Sequence, residues 1–199
     1  MKRAPKNNVR KWLWAVLALL VLAPYIGLYI VKRWYDGKVD DIANARIIIV
    51  DKEQMRLHLM DYEGNEVRSY GICCGKNYGD KQVVGDMKTP EGIFRIIDIE
   101  DASNWGHDFK DGRGRIEGAY GPWFLRLAVP GHKGIGIHGT HKPESIGTRD
   151  TEGCIRLANE DIADLKTRVS PGMVVIVLAS YNDLAADKNP KQTNKDKAL

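Results

Sequence analysis

The protein has 199 residues, of which 43% are hydrophobic and 28% are charged, and its formal net charge is +4. This length suits about one domain with its own core, and the composition excludes a collagen-like, coiled-coil or wholly disordered chain. Three cysteines, two of them adjacent, exclude a small domain held together by disulfides. Five bases and no acid lie in residues 1–11, so the excess positive charge belongs to a tail and indicates no nucleic-acid partner.

An apolar stretch without charges, Trp12–Val31, follows this basic tail. As a helix, its twenty residues span about 30 Å, the thickness of the hydrocarbon core of a bilayer. More bases precede the stretch than follow it, so we expect a cytoplasmic N-terminus and an outward-facing remainder. A cleaved signal peptide is the alternative, but Pro24 and the length of the apolar run favour an uncleaved transmembrane anchor at 12–31.

The rest of the chain predicts a tether, a mainly β domain and a polar tail. Residues 32–44 are charged and are expected to be the tether, and the polar residues 180–199 are expected to be disordered. Between them, residues 45–179 contain many short strand-like stretches and Gly-rich turns, which indicates a mainly β fold. One helix is expected near 159–169, with Asn159 as its N-cap.

The predicted strands follow from short β-branched runs and from alternation with a period of two. The first three, which we expect to form a meander, are Ala45–Asp51, Met55–Met60 and Glu66–Cys73. The later ones are Ile93–Ile99, Trp123–Val129, Gly134–Ile137 and Met173–Ala179.

A histidine and a cysteine, His138 and Cys154, are the residues most suggestive of chemistry. A free thiol has a pKa of about 8.5, so a catalytic cysteine needs a neighbouring base, and imidazole is the usual one. The backbone N–H groups at Gly153 could bind an oxyanion, and Arg156 could bind a substrate carboxylate. A packed cysteine and an unrelated histidine are the alternative, and His138 with His141 also leaves a zinc site open.

Several ordered motifs resemble those of the YkuD-type L,D-transpeptidases. The segment His138-Gly139-Thr140 and the later Gly153-Cys154-Ile155-Arg156 are similar to the active-site signature of this family. Upstream, Gly75-Lys76 with Lys88–Phe94 resembles the family's TPxGxF stretch, and Gly121–Leu127 resembles its GPxxxRL strand. The resemblance covers about residues 45–179 and implies a YkuD-like β-sandwich or mixed-sheet catalytic domain with one or two short helices.

The resemblance implies a cysteine acyltransferase that acts on peptidoglycan stem peptides. Cys154 then corresponds to the nucleophile, His138 to the general base, and Gly153 to a donor of the oxyanion hole. Arg156 and Thr140 are expected to help place the substrate, and Tyr120 and Trp123 to line the peptide groove. An aromatic residue on a strand can equally belong to the core, and Arg156 can equally form a structural salt bridge.

One position departs from the family pattern. Many members have a histidine before the Gly-Cys pair, whereas this chain has Glu152 there. Glu152 is expected either to alter recognition of the acceptor amine or to be a solvated surface acid.

The resemblance implies no cofactor and no metal. It places the catalytic domain outside a bacterial cytoplasmic membrane, held by a single N-terminal span. The alternative functions are hydrolysis with water as acceptor, a metallopeptidase that uses His138 and His141, and wall binding without catalysis.

Overall fold

The computed structural model describes residues 6–43 and 45–188, which divide into two compact units between residues 45 and 46. The first unit is a single helix, α1 (Lys6–Ala43). Its large apolar side chains, such as Trp12, Leu20 and Tyr29, are exposed. The part from Arg10 to Gly37 is long and apolar enough to cross a membrane, although a signal sequence would meet the same criterion.

Helix α1 is longer than the apolar span at 12–31. Residues 32–43, which the sequence predicts as a tether, continue the helix. The reason is that Lys and Arg have helix propensities close to that of Leu, so that a charged stretch without proline need not end a helix.

The second unit is built mainly from short strands. The strands are β1 (Arg46–Asp51), β2 (Arg56–Asp61), β3 (Glu66–Gly71), β4 (Cys74–Gly75), β5 (Gly92–Asp101), β6 (His107–Asp108), β7 (Arg115–Ile116), β8 (Trp123–Leu127), β9 (Gly136–His138), β10 (Arg149–Thr151), β11 (Ile155–Arg156) and β12 (Val174–Leu178). The helices are α2 (Asn159–Lys166) and α3 (Tyr181–Lys188), with a 3-10 turn at Pro143–Ser145.

Eight of these strands form one mixed sheet in the order β11-β9-β8-β5-β12-β1-β2-β3. Strands β1, β2 and β3 pair antiparallel, which confirms the predicted meander. The parallel pairs are β1 with β12, and β9 with β11. Two small ladders, β4 with β10 and β6 with β7, lie outside this sheet. The expectation of a mainly β, mixed-sheet fold with short helices is therefore confirmed.

Alternation along the strands explains why the sheet has a core. In β1 the residues Ile48 and Val50 are fully buried, and in β12 the buried pair is Val175 and Val177. Since successive side chains of a strand point to opposite faces, a period of two puts these residues on the same face.

Helix α2 covers the core next to β8. Its buried residues are Ile162 and Leu165, which agrees with the predicted apolar stripe. The N-cap is Ala158, which makes no side-chain capping bond, so the prediction of Asn159 as N-cap is wrong. Asn159 is instead the first helical residue, and its amide bonds the backbone of Thr140.

A buried ionic cluster holds α3 against the rest of the second unit. The carboxylate of Asp183, a fully buried residue, accepts hydrogen bonds from Gly79 N (2.8 Å), Ser180 N (2.8 Å) and Arg149 Nη2 (2.8 Å). Lys52 Nζ lies 3.2 Å from Asp183 Oδ2. Burial alone would raise the pKa of Asp183, but the bonds from Ser180 and Gly79 and the charge of Lys52 outweigh it and lower the pKa to about 2.

This cluster corrects the prediction for the C-terminal residues. Residues 181–188, which the sequence predicts as disordered, are helical, and Asp183 of this helix pairs with Arg149 and with the buried Lys52, which also pairs with Glu91 at 2.6 Å. The composition of 180–199 is polar, but a polar segment orders when a partner for one of its charges is buried nearby. Residues 189–199 lie outside the described part of the chain.

Replacing Asp183 is expected to destabilise the second unit strongly. Asp183→Ala removes the carboxylate partner of Arg149 and leaves Lys52 with Glu91 alone, which should lower the free energy of unfolding by about 3–5 kcal/mol. The measurement is the urea midpoint, with Asp187→Ala on the same helix as control, since that side chain is 37% exposed and should cost about 1 kcal/mol or less. Equal losses in the two variants would contradict the role of the cluster.

Candidate active site

The parallel pairing of β9 with β11 brings the two halves of the signature together. Ile155 pairs with Ile137, and Arg156 pairs with His138. Cys154 directly precedes β11 and His138 ends β9, so these residues, sixteen positions apart in sequence, face a common open cavity of about 280 Å³.

His138 is a buried, neutral imidazole. Its ring stacks on Phe124 at a centroid distance of 5.5 Å and meets Tyr120 edge-on at 4.9 Å. Nδ1 lies 2.7 Å from Gly139 O, and because a carbonyl only accepts, Nδ1 must carry the proton. Burial lowers the pKa of His138 to about 3, against the opposing effect of this hydrogen bond. The ring therefore keeps an unprotonated Nε2 at neutral pH.

Cys154 is a protonated thiol in the same cavity. Its Sγ donates to Gly134 O at 3.3 Å. Burial raises the pKa of Cys154 to about 11, although the positive charges of Lys81 and Arg156 oppose the rise. Glu152 contributes to the rise through its negative charge. At neutral pH the site therefore contains a thiol and a neutral imidazole, and not a thiolate–imidazolium pair.

The turn before Cys154 requires its glycine. Gly153 has φ +134°, and a Cβ there would lie 2.6 Å from Lys88 O. Thr151 Oγ1 accepts from Gly153 N (3.2 Å) and donates to Cys154 O (2.6 Å). The Gly153 N–H, the expected oxyanion donor, is thus engaged with Thr151 and must leave this hydroxyl before it can bind an oxyanion.

Arg156 is a buried residue that also lines the cavity. It is 3% exposed, its Nη1 donates to Ser145 Oγ at 2.8 Å, and its nearest carboxylate, that of Asp150, is 3.8 Å away. Its backbone bonds Cys73 in both directions. Arg156 also lines the cavity, where its Nε is buried and has no partner among the described residues. The side chain is thus both a structural support and a wall of the site.

A second imidazole, which no sequence motif marks, enters the cavity from the β6–β7 hairpin. Tyr120 OH donates to His107 Nδ1 at 3.1 Å, and His107 Nε2 lies 3.0 Å from Glu152 Oε2. His107, Tyr120 and Glu152 all line the cavity with Cys154. Burial, with a smaller contribution from Cys154 and Glu152, raises the pKa of Tyr120 to about 12, so its hydroxyl keeps its proton at neutral pH.

Two of the expected substrate-binding residues lie outside this cavity. Thr140 is buried, and its hydroxyl accepts from Lys142 N at 2.8 Å. Trp123 packs against the core, where Lys166 Nζ lies 4.3 Å from its ring centroid. For Trp123 the reason is the alternation along β8, because its neighbour Phe124 stacks on His138 and successive side chains of a strand point to opposite faces.

Asn159, which the sequence predicts as the N-cap of a helix, is a positioning residue. Its Oδ1 accepts from Thr140 N (2.8 Å) and its Nδ2 donates to Thr140 O (3.0 Å), so it fixes the segment that follows His138.

The remaining thiols and His141 do not approach Cys154. Cys73 and Cys74 are buried and free, and burial raises the pKa of Cys74 to about 11. His141 Nδ1 lies 3.2 Å from Ala119 O. Within residues 6–43 and 45–188, no three His, Cys, Asp or Glu side chains are arranged to hold a metal ion.

The protonation state of His138 can be observed directly. Nitrogen-15 NMR of histidine-labelled protein should show one neutral tautomer, with the proton on Nδ1, from about pH 5 to about pH 8, because the pKa is near 3. The imidazole binds a second proton near pH 6.5 in the unfolded chain but not in the folded chain. The stability that burial of the neutral ring gives the folded state is therefore lost as the pH falls from about 6.5 toward 3. His138→Asn assigns the signal, and a midpoint near 6.5 for His138 would contradict the assignment.

Asn159→Ala should loosen the segment after His138. The variant loses two hydrogen bonds to buried backbone, which is expected to lower the free energy of unfolding by about 1–3 kcal/mol. Urea unfolding checks this, with Asn104→Ala, at an exposed asparagine, expected to stay within about 0.5 kcal/mol of the unchanged protein. A loss of the same small size at position 159 would show that its amide does not hold Thr140.

Sequence comparison identifies relatives of the second unit. The model of the YkuD family, described as the L,D-transpeptidase catalytic domain, matches residues 45–177. A Bacillus subtilis protein that bears the name L,D-transpeptidase YkuD is 38% identical over 111 residues, which are 56% of this chain and 53% of that protein. An Escherichia coli protein, named as the L,D-transpeptidase YcfS, is 27% identical over 157 residues, 71% of this chain and 47% of that protein. The chain thus spans about half the length of these curated relatives.

Solved structures share the fold. The catalytic domain of the E. faecium L,D-transpeptidase matches with a TM-score of 0.51 and 20% identity, covering 68% of this chain and 98% of that one. An L,D-transpeptidase from Mycobacterium smegmatis matches with a TM-score of 0.52 and 20% identity, covering 67% of this chain and 58% of that one. These likenesses show the fold, and the family model, which covers well over half of the sequence, shows that this chain belongs to the YkuD family of L,D-transpeptidase catalytic domains.

Proposed function

We propose that this protein is a membrane-anchored L,D-transpeptidase that remodels peptidoglycan through a thioester on Cys154. The observation that carries the proposal is that Cys154 and His138 line one cavity, with His138 Nδ1 bonded to Gly139 O so that Nε2 is the nitrogen left to accept a proton. Such a pair suits general-base activation at the moment of attack, because no charge has to be buried before the substrate arrives.

In the first half-reaction the acyl donor is a stem tetrapeptide. Cys154 Sγ attacks the carbonyl carbon of the third residue, and His138 Nε2 takes the thiol proton. The carbon–nitrogen bond to the terminal D-Ala then breaks, and the same proton passes to the departing amine. D-Ala leaves, and the third residue remains as a thioester on Cys154.

The developing oxyanion needs backbone donors. We assign them to the N–H groups of Cys154 and Gly153, of which the latter exchanges Thr151 Oγ1 for the substrate oxygen. One such donor contributes about 3 kcal/mol to stabilisation of the transition state.

In the second half-reaction an amine from a neighbouring stem attacks the thioester. A new carbon–nitrogen bond forms, the carbon–sulfur bond breaks, and His138 transfers the proton of the attacking amine to the departing sulfur. The product is a 3→3 cross-link, and the thiol is regenerated. No ATP is consumed, because one amide bond replaces another.

The location follows from helix α1 and the charges around it. Residues 12–31 are proposed to span the cytoplasmic membrane as an uncleaved anchor, with residues 1–11 inside and the catalytic domain at 45–179 facing the wall. The substrate of the proposed reaction is found on that side of the membrane.

Cys154→Ala is expected to abolish formation of the acyl-enzyme. The full-length chain, reduced and held in detergent, is mixed with a disaccharide-tetrapeptide, and the intact masses of protein and products are recorded. We expect an adduct on the unchanged protein, release of D-Ala and a cross-linked dimer. Cys74→Ala, which removes a buried thiol elsewhere, should keep the adduct.

Each alternative gives a different result in this experiment. A trimmed monomer without dimer would indicate a carboxypeptidase. Turnover that survives Cys154→Ala but stops with a chelator would indicate a metallopeptidase and overturn the thioester mechanism. Muropeptide binding without any adduct would leave a wall-binding domain.

A further inference from the structure

Glu152 is the one carboxylate that lines the cavity, among the residues that the structure describes. The other charged groups of the wall are cationic, namely Lys81, Lys133 and Arg156. Lys81 is already paired with Asp86 at 2.8 Å. A cationic group of a bound molecule would therefore be drawn to position 152, and an anionic group would be drawn away from it.

The carboxylate of Glu152 is held in one orientation and is still partly available. His107 Nε2 donates to its Oε2 at 3.0 Å, and Tyr120 OH fixes the tautomer of His107 by donating to Nδ1 at 3.1 Å. The second oxygen, Oε1, makes no hydrogen bond to any residue in the described part of the chain. The side chain of Glu152 is 37% exposed, so this oxygen can accept a donor from a ligand.

The acceptor of the proposed reaction has the matching charge. An aliphatic amine like that of lysine has a pKa of about 10.4 and arrives as an ammonium at neutral pH. A charge-assisted hydrogen bond from an ammonium to a carboxylate is about twice as strong as a neutral one.

We propose that Glu152 binds the ammonium of the incoming acyl acceptor, with His107 and Tyr120 as the residues that position its carboxylate. This inference rests on the proposed function, because it assigns the acceptor side of the same cavity. After the ammonium has lost one proton to water in the open cavity, an N–H of the amine still donates to Glu152 Oε1. The amine lone pair is then left for the thioester on Cys154.

The two half-reactions should respond to Glu152 in opposite directions. The negative charge of Glu152 helps to raise the pKa of Cys154, so its removal favours the thiolate and does not slow acylation. The same removal takes away the partner of the acceptor. A merely structural role would instead slow both steps together.

The test measures how the rate of cross-linking by the full-length chain, held in detergent, saturates with the concentration of the acceptor. The donor is the disaccharide-tetrapeptide, and the acceptor is a stem peptide with one free side-chain amine, at increasing concentration. For Glu152→Gln we expect the half-saturating acceptor concentration to rise about ten-fold, the loss of one charge-assisted bond, while the rate of adduct formation stays within about two-fold or increases. Glu144→Gln, at an exposed acid outside the cavity, is the matched control and should change neither quantity.

An uncharged nucleophile distinguishes binding of the acceptor ammonium from the reaction of the thioester itself. Hydroxylamine is neutral at neutral pH, so its reaction with the acyl-enzyme should be nearly the same in Glu152→Gln and in the unchanged protein. His107→Gln, which releases the carboxylate without removing it, should give a smaller rise for the stem amine. If Glu152→Gln does not fold, acceptor saturation is measured in this variant and in Glu152→Asp instead.

The possible failures are distinguishable. An acyl-enzyme that forms normally, with unchanged acceptor saturation in Glu152→Gln, would overturn this inference and leave the proposed function standing. Equal slowing of acylation and of both nucleophiles would overturn it as well, in favour of a structural role. No acyl-enzyme on the unchanged protein would overturn both.

Discussion

The parallel register between β9 and β11 is the constraint on which the candidate site depends. Because Arg156 lies opposite His138, the residue two positions earlier must lie at the start of the same pairing, next to the strand that carries the imidazole. The rest of the sheet supports this edge, since β8 pairs with β9 and places Phe124 opposite His138. A slip of one residue would turn either His138 or Cys154 away from the cavity.

Burial decides how this pair works. The ring of His138 is enclosed by Phe124 and Tyr120, and the low local dielectric disfavours charge on both the imidazole and the thiol. The imidazole of His138 and the thiol of Cys154 are therefore both uncharged at neutral pH. This arrangement protects the thiol, because the thiolate is the form that oxidants and alkylating agents attack. The bond from Nδ1 to Gly139 O sets the orientation of Nε2, which is the atom that accepts the proton in the proposed reaction.

The surroundings of the pair are arranged by contacts over long distances in sequence. The side chain of Asn159 in α2 bonds the backbone of Thr140. The hydroxyl of Thr151 bonds the backbone of Gly153 and of Cys154, and the hydroxyl of Ser145 accepts from Arg156. These contacts are hydrogen bonds, and they hold the loops around the cavity along with the aromatic packing of Phe124 and Tyr120 on His138. The β6–β7 hairpin adds His107 by the same means, through Glu152 and Tyr120.

The sequence alone determined the apolar N-terminal helix, the mainly β fold, the meander of β1–β3 and the pairing of Cys154 with His138 as candidates. These features are local in sequence, or they are carried by motifs that resemble those of a family. Only the tertiary structure decided that Thr140 and Trp123 face away from the cavity, that α3 is ordered by Asp183, and that His107 enters the site. The physical reason is that side-chain direction, buried charge pairing and contacts between distant loops depend on the register of the whole sheet, which no local pattern of residues encodes.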